Sequence, residues 1–152
     1  MGKFLFNIRH LLATTAVIGS LSGGAVAQTV TPEPLVILEA SSDTTLSAFH
    51  WVARPLVVFA DSPFDPNFVQ QMELIEAEAA RLAERDVVVI VDTDPSLETL
   101  VREELRPRGF DLVLIGKDGQ KYLRKPFPWD VREISRSIDK MPLRQQEMRD
   151  RR

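Results

Sequence analysis

Residues 112–125 read Leu-Val-Leu-Ile-Gly-Lys-Asp-Gly-Gln-Lys-Tyr-Leu-Arg-Lys, and this stretch decides the fold. Leu112-Val113-Leu114-Ile115 is an apolar run of strand length. Lys117-Asp118-Gly119-Gln120 is a hairpin turn, because Asp-Gly takes the left-handed angles that a tight turn needs. Tyr122-Leu123-Arg124 therefore returns antiparallel, and Pro126 and Pro128 close that strand, since proline has no N–H to give a ladder. Upstream, Leu56-Val57-Val58-Phe59-Ala60 and Val87-Val88-Val89-Ile90-Val91 are two more unbroken apolar runs. Neither alternates with polar residues, so both faces of each are expected to be covered. Between them Phe68, Met72, Ile75, Ala79 and Leu82 recur at helical spacing, with Gln, Glu and Arg on the other faces. The spacing predicts an amphipathic helix over 68–85, N-capped by Asp65 or Asn67. Two such strands joined by such a helix make a parallel crossover unit.

Working outward, Leu35-Val36-Ile37-Leu38 is a short edge strand, 41–45 a turn or capping cluster, and 46–51 a short turn. Asp61 to Asn67 holds two prolines and two aspartates and is a loop. Asp92 to Ser96 ends the second central strand, and Ser96 caps a short helix that runs to Glu104 or Leu105, before Pro107 and Gly109. Trp129 to Lys140 is the last helix, with Val131, Ile134 and Ile138 on its apolar face, stopped by Met141-Pro142. Leu143 to Arg152 reads as a polar, Arg-rich tail, frayed or lightly docked. The order is strand, helix, strand, helix, strand, strand, helix. It predicts a thioredoxin-like three-layer α/β/α fold over 45–142, around a mixed sheet of four to five strands. Val57, Phe59, Val88, Ile90, Val113 and Ile115 should be buried in that sheet, with Phe68, Met72, Ile75 and Leu82 packed on it. The antiparallel hairpin argues against a flavodoxin-like or Rossmann sheet, and no glycine-rich loop follows either central strand to hold a nucleotide.

The 152 residues make one ordinary domain, and 44% apolar with 27% charged residues is a globular balance. Cysteine is absent, which excludes disulfides, thiol nucleophiles, zinc–thiolate sites and iron–sulfur clusters. The two histidines, His10 and His50, are too few for a multi-histidine metal site. A formal charge of −3 gives nucleic-acid binding no electrostatic support.

The first 27 residues read as a secretory signal peptide. Lys3 and Arg9 precede the apolar run Leu11 to Ile18, glycines and serines break it, and Ala25-Val26-Ala27 is a small-x-small cleavage site before Gln28. The apolar run is too short for a bilayer, which takes about 20 residues. No membrane span is therefore expected after cleavage, and the mature chain should be periplasmic or secreted. Residues 28–44 form an extended, proline-punctuated lead.

Several segments together carry a family resemblance: Trp51 with Arg54, the 56–60 strand, Glu84-Arg85-Asp86, Leu114 to Gly119, and Ile138-Asp139-Lys140-Met141-Pro142 with Arg144 and Glu147-Met148. They resemble the bacterial domain of unknown function 4174 family, itself similar to a domain in animal sushi-repeat and extracellular-matrix proteins. The resemblance covers about 45–148 and implies a thioredoxin- or peroxiredoxin-like fold, with no settled activity. It would place shared polar residues at Arg54, Asp118, Arg124, Asp139 and Arg144, expected to act as structural ion pairs.

In a redox thioredoxin, the loop after the first central strand carries a dithiol at a helix N-terminus, where backbone N–H groups stabilise a thiolate. Here that loop is Asp61-Ser62-Pro63-Phe64, and Asp111 stands where the cis-proline would precede the third central strand. A His50–Asp61–Ser62 triad is disfavoured, because Ser62 lacks a nucleophile elbow. Asp61, Asp65, Asp92 and Asp94 could suit a hard cation, though aspartate is also the usual turn and capping residue. Arg54, Lys117, Lys121, Arg124 and Lys125 are grouped as one basic patch near the hairpin, and Arg102, Arg106 and Arg108 as another.

The ligand- or partner-binding candidates are Arg54, Asp61, Ser62, Asp111, Lys117, Asp118 and Arg124, with no catalytic residue, metal or cofactor assigned. The expectation is a binding or interaction module for an unknown protein or small anionic ligand of the cell envelope. The alternative is a non-thiol enzyme or a divalent-cation-binding protein using the carboxylates after the first two central strands.

Overall fold

The computed structural model describes residues 34–151. The expected signal peptide, 1–27, and the first part of the expected lead lie outside the described residues. Five strands form one sheet in the order β1-β3-β2-β4-β5. They are β1 (Val36–Glu39), β2 (Arg54–Phe59), β3 (Val87–Asp92), β4 (Asp111–Ile115) and β5 (Lys121–Lys125). β3 pairs in parallel with both β1 and β2, while β4 runs antiparallel to β2 and to β5. The arrangement is the expected thioredoxin-like α/β fold with a mixed five-stranded sheet. Every residue of β2 is buried: 56–59 as an unbroken apolar run between two neighbours requires, and with them the charged Arg54 at its start. The Asp118-Gly119 turn joins β4 to β5, with Gly119 at φ +76°.

The strand that reads most apolar says nothing about which face it offers to which helix, and the structure settles this. Leu56, Val58, Val87, Val89, Leu112 and Leu114 form one core with Ile75, Leu82, Ile134 and Ile138, and Phe68 and Met72 pack against it. Val57, Phe59, Ile90, Val113 and Ile115 point the other way, to Leu46, Val101 and Leu105. The long amphipathic segment thus packs on the sheet opposite the Val57/Ile90 set. Val88, expected to be buried, is only half-buried, opposite the exposed Val36 of the edge strand β1.

The helices are α1 (Pro66–Ala77), α2 (Ala79–Ala83), α3 (Leu100–Leu105), α4 (Val131–Asp139) and α5 (Pro142–Asp150). The helix expected over 68–85 is two helices, broken where Glu78 leaves helical geometry at φ −124°. Asp65 is the N-cap, accepting from the N–H of Asn67 and Phe68, with Pro66 in the first turn where its missing N–H costs nothing. Gln71, expected on a polar face, is fully buried. Its amide donates to the carbonyl of Trp129 at 3.1 Å and accepts from the Trp129 N–H at 2.7 Å, tying α1 to the loop before α4. Ser96 does not cap α3. It sits in a 3₁₀ turn, Pro95–Leu97, capped by Asp94, and Thr99 caps α3 by accepting from the Arg102 N–H. A second 3₁₀ turn, Leu46–Phe49, fills the segment before β2.

The largest departure is at the C-terminus. Pro142 ends α4 but also opens α5, since proline is well suited to a helix's first position. The segment expected as a polar tail, frayed or lightly docked, is a helix whose Arg144 is buried. Among the described residues, no helix is long and apolar enough to cross a membrane.

Candidate functional site

The seven candidate residues fall in three places rather than one. Arg54 and Lys117 meet at the end of the sheet where β2 and β3 begin. Arg54 is fully buried. Its guanidinium donates to the Arg85 carbonyl and to Glu147 Oε1, both at 2.9 Å, and lies 3.7 Å from Asp86. Lys117 Nζ bridges Asp86 at 2.8 Å and Glu147 at 3.0 Å. Arg144 pairs with Glu147 at 3.3 Å and with Asp139 at 3.6 Å, and Arg85 clamps Asp139 through two nitrogens at 2.9–3.0 Å.

This network pins α5 and the end of α4 to the sheet. Burial alone would push Glu147 up, but hydrogen bonds from Arg54 and Lys117, and their charges, hold it down at about 2. Burial likewise opposes the ionisation of Asp139, and the Arg85 and Arg144 guanidiniums overcome it, so its carboxyl sits below its usual value. The Nε atoms of Arg54 and Arg144 are buried without a hydrogen bond.

Asp118, the third candidate at this end, is occupied within its own hairpin. Its carboxylate accepts from the Gln120 N–H at 3.1 Å and from the Tyr122 hydroxyl at 2.7 Å. That hydrogen bond to Asp118 raises the Tyr122 phenol above its ordinary value. His50 is exposed and lies against the same turn, where a Cβ at Gly119 would come within 2.6 Å of its Nε2.

Asp111 and Arg124 form a pair at the opposite end of β4 and β5. Arg124 contacts the buried Asp111 carboxylate at 2.5 Å and donates to the carbonyls of Leu105 at 2.9 Å and Arg106 at 3.2 Å. It thereby satisfies carbonyls that the C-terminus of α3 leaves open. The expected basic patch near the hairpin is therefore divided. β5 carries Arg124 and Lys125 away from Arg54 and Lys117, and Lys125 stacks 4.0 Å over the Trp129 ring.

Asp61 and Ser62 lie in the loop after β2, at this same end of the sheet, with Asp61 exposed. A Cβ at Gly109 would stand 3.8 Å from Asp61 Oδ2, so this loop touches the one before β4. The six residues of β2, about 20 Å of strand, separate His50 from Ser62, and the weighed triad is not assembled.

Asp92 joins neither Asp61 nor Asp94 in a cation site. Its buried carboxylate accepts from the Thr99 hydroxyl at 2.5 Å and pairs with Arg102 at 2.6 Å. Arg102 also donates to the Ala60 and Asp92 carbonyls and covers the Phe59 ring, so it does not belong with Arg106 and Arg108. Among the described residues, no three His, Cys, Asp or Glu side chains gather as a metal site. Sequence reasoning missed Thr99 and named Glu147 only within the family resemblance, with no role, because each meets its partner only in the folded chain.

Two concave surfaces flank α3. A groove of about 780 Å³ lies between the 46–49 turn, α3 and the hairpin, and its lining includes His50, Glu103, Glu104 and Arg106. A pocket of about 400 Å³ is lined by Arg106, Arg108, Phe110, Asp111, Arg124 and Pro126.

The fold and the loop after β2 define a thioredoxin-like domain that has no cysteine. The chain belongs to the DUF4174 family, a domain of unknown function, whose profile matches residues 45–147. It is 28% identical over 138 aligned residues to the coiled-coil domain-containing protein 80 of Danio rerio, covering 71% of this chain and 16% of that protein. It thus spans under a fifth of that relative. Among solved structures it is similar to a reduced 2-Cys peroxiredoxin of Plasmodium vivax, with TM-score 0.55 and 13% identity, over 69% of this chain and 85% of that one. A Malassezia sympodialis thioredoxin matches at TM-score 0.52 and 15% identity, over 73% and 95% of the two chains. Chloroplastic thioredoxin z matches at 0.51 and 20%, over 69% and 96%. These likenesses establish the fold alone.

Proposed function

We propose that this chain is an exported binding domain that uses a thioredoxin-like scaffold without thiol chemistry. The observation that carries this reading is how the ionisable groups are used. The loop where a dithiol would sit holds Asp61-Ser62-Pro63-Phe64. The buried charges Arg54, Asp92, Asp111 and Arg144 are each paired with another protein group. A general base or activated nucleophile needs a partner free to exchange protons with substrate, whereas these pairs hold elements together. The open concave surfaces, lined by exposed charged side chains, suit recognition better than chemistry. The partner is a protein or a small anionic ligand of the cell envelope. A bacterial source belongs to the same proposal, as does kinship with a domain of animal sushi-repeat and matrix proteins.

Reductase-coupled insulin reduction and peroxide turnover by the purified protein are expected to stay at the blank rate. Activity that survives removal of contaminating thioredoxin would end the reading. Melting temperatures with calcium, magnesium or EDTA should coincide, because only a ligand that binds the folded state raises its stability. A rise with either cation would favour the carboxylate loops after β2 and β3 instead.

Export is expected to yield a mature chain that begins at Gln28, in the periplasm or the medium. Intact-mass measurement on cell-envelope and medium fractions checks it. A full-length species starting at Met1 and confined to the cytosol would refute it.

A further inference from the structure

We propose that the pocket at the end of α3 and the start of β4 binds the oxyanion of a phosphate monoester. This rests on the binding reading above and names the ligand class. Arg106, Arg108 and Arg124 line the pocket against the single carboxylate of Asp111, an excess of two positive charges. A phosphate monoester carries roughly −1.5 to −2 at neutral pH and presents three acceptor oxygens. The planar guanidinium fork matches those oxygens in paired hydrogen bonds. A volume of about 400 Å³ admits the phosphate with a small organic body.

The three arginines play different parts. Arg124 is committed to Asp111 and to the carbonyls of Leu105 and Arg106, so it shapes the wall. Arg106 and Arg108 are exposed, and among the described residues neither makes an ion pair. Arg106 has φ +48°, an uncommon angle for a residue with a side chain, and Gly109 has φ +65°. The chain between α3 and β4 thus turns sharply around the pocket, and non-glycine residues in this region store about 1 kcal/mol or more. Such strain persists where surrounding structure holds it, and here Arg124 bonds the Arg106 carbonyl.

The location supports the same ligand. The loop before β4 lies at the end of the sheet where β2 and β3 finish, and α/β sheets place ligands outside the carboxyl ends of their strands. Asp61 lies beside Gly109 but does not line the pocket. The larger groove has Glu103 and Glu104 against Arg106, and lacks the positive excess.

The test is titration of the protein with phenyl phosphate at constant ionic strength, read by calorimetry and by NMR, with phenol as the uncharged control. Saturable binding of phenyl phosphate and none of phenol is expected. Arg108→Ala should weaken binding about tenfold, as loss of a charge-assisted hydrogen bond does. Arg106→Gly, which keeps the turn because glycine accepts φ +48°, should do the same. The melting curve of Arg108→Ala should match the parent, since Arg108 is in no ion pair among the described residues, and Arg106→Gly should melt at or slightly above it, because glycine adopts φ +48° without strain. Binding that is equal in variants and parent, or equal for phenol and phenyl phosphate, would overturn the site. That result would leave the thiol-free reading standing, which only turnover in the coupled assays removes. Sedimentation with phosphatidic-acid vesicles, dependent on Arg108, would place the phosphate on a lipid. Binding of phenyl phosphate alone would place it on a soluble molecule. Both results support the pocket.

Discussion

Ile90→Ala should cost about 4 kcal/mol, within the 2–5 range for truncating a large buried aliphatic side chain. Ile90 is fully buried on β3 and stands opposite Val57 of the central strand. It packs in the core that includes Val101 and Leu105 of α3 and Leu46 of the 3₁₀ turn. The sheet is rigid on both sides of this position, because β3 is paired with β1 and β2 at once. The space left by three carbon atoms therefore has little means of closing, and the cavity adds to the lost transfer free energy. Glu76→Ala on the exposed face of α1 should stay within about 0.5 kcal/mol. Urea unfolding followed by circular dichroism gives both midpoints at a common slope. Coincident midpoints would mean that this face of β3 is not a core.

The same position shows how far the sequence was readable. Continuous apolar runs announced β2, β3 and β4, and Asp118-Gly119 announced the direction of β5, because each signal is local. Which face of β2 takes α1 was not legible. Leu56 and Val57 are both apolar, so a strand buried on two sides has lost the alternation that assigns a face. The break at Glu78 has neither glycine nor proline to mark it. Helix α5 was read as a tail because charge, not an apolar stripe, attaches it to the sheet, and periodicity detects only the latter. Arg54 is a candidate on its own, yet its partners Arg85, Asp86 and Glu147 are 31 to 93 residues away, and nothing in local spacing joins them.

That charge network is the ground for the second large effect. Glu147→Gln should destabilise the domain by about 3 kcal/mol, the lower part of the range for breaking a buried ion pair. The cost comes from Arg54, fully buried beneath Glu147: the glutamine oxygen still accepts from its guanidinium, but the buried charge would keep only Asp86, at 3.7 Å, as an ionic partner, beside the Arg85 carbonyl at 2.9 Å. Lys117 would keep Asp86, which places the loss below that of a fully isolated charge.

The parent and the variant should also differ in acid. The Glu147 carboxyl is held at about 2, against an ordinary value of 4.5. The unfolded chain therefore takes up a proton as pH falls through about 4.5, while the folded chain resists until near 2. Protons bind the unfolded state preferentially across that interval, so the stability contributed by Glu147 is complete above it and is lost on descending through it. Asp139, lowered in the same direction by Arg85 and Arg144, deepens the same acid limb. Glu147→Gln has no proton to gain there, so its stability should fall less steeply between pH 4.5 and 2. Urea midpoints at half-unit steps of pH resolve the two slopes. Parallel slopes would show that the ionic docking of α5 is not what acid releases.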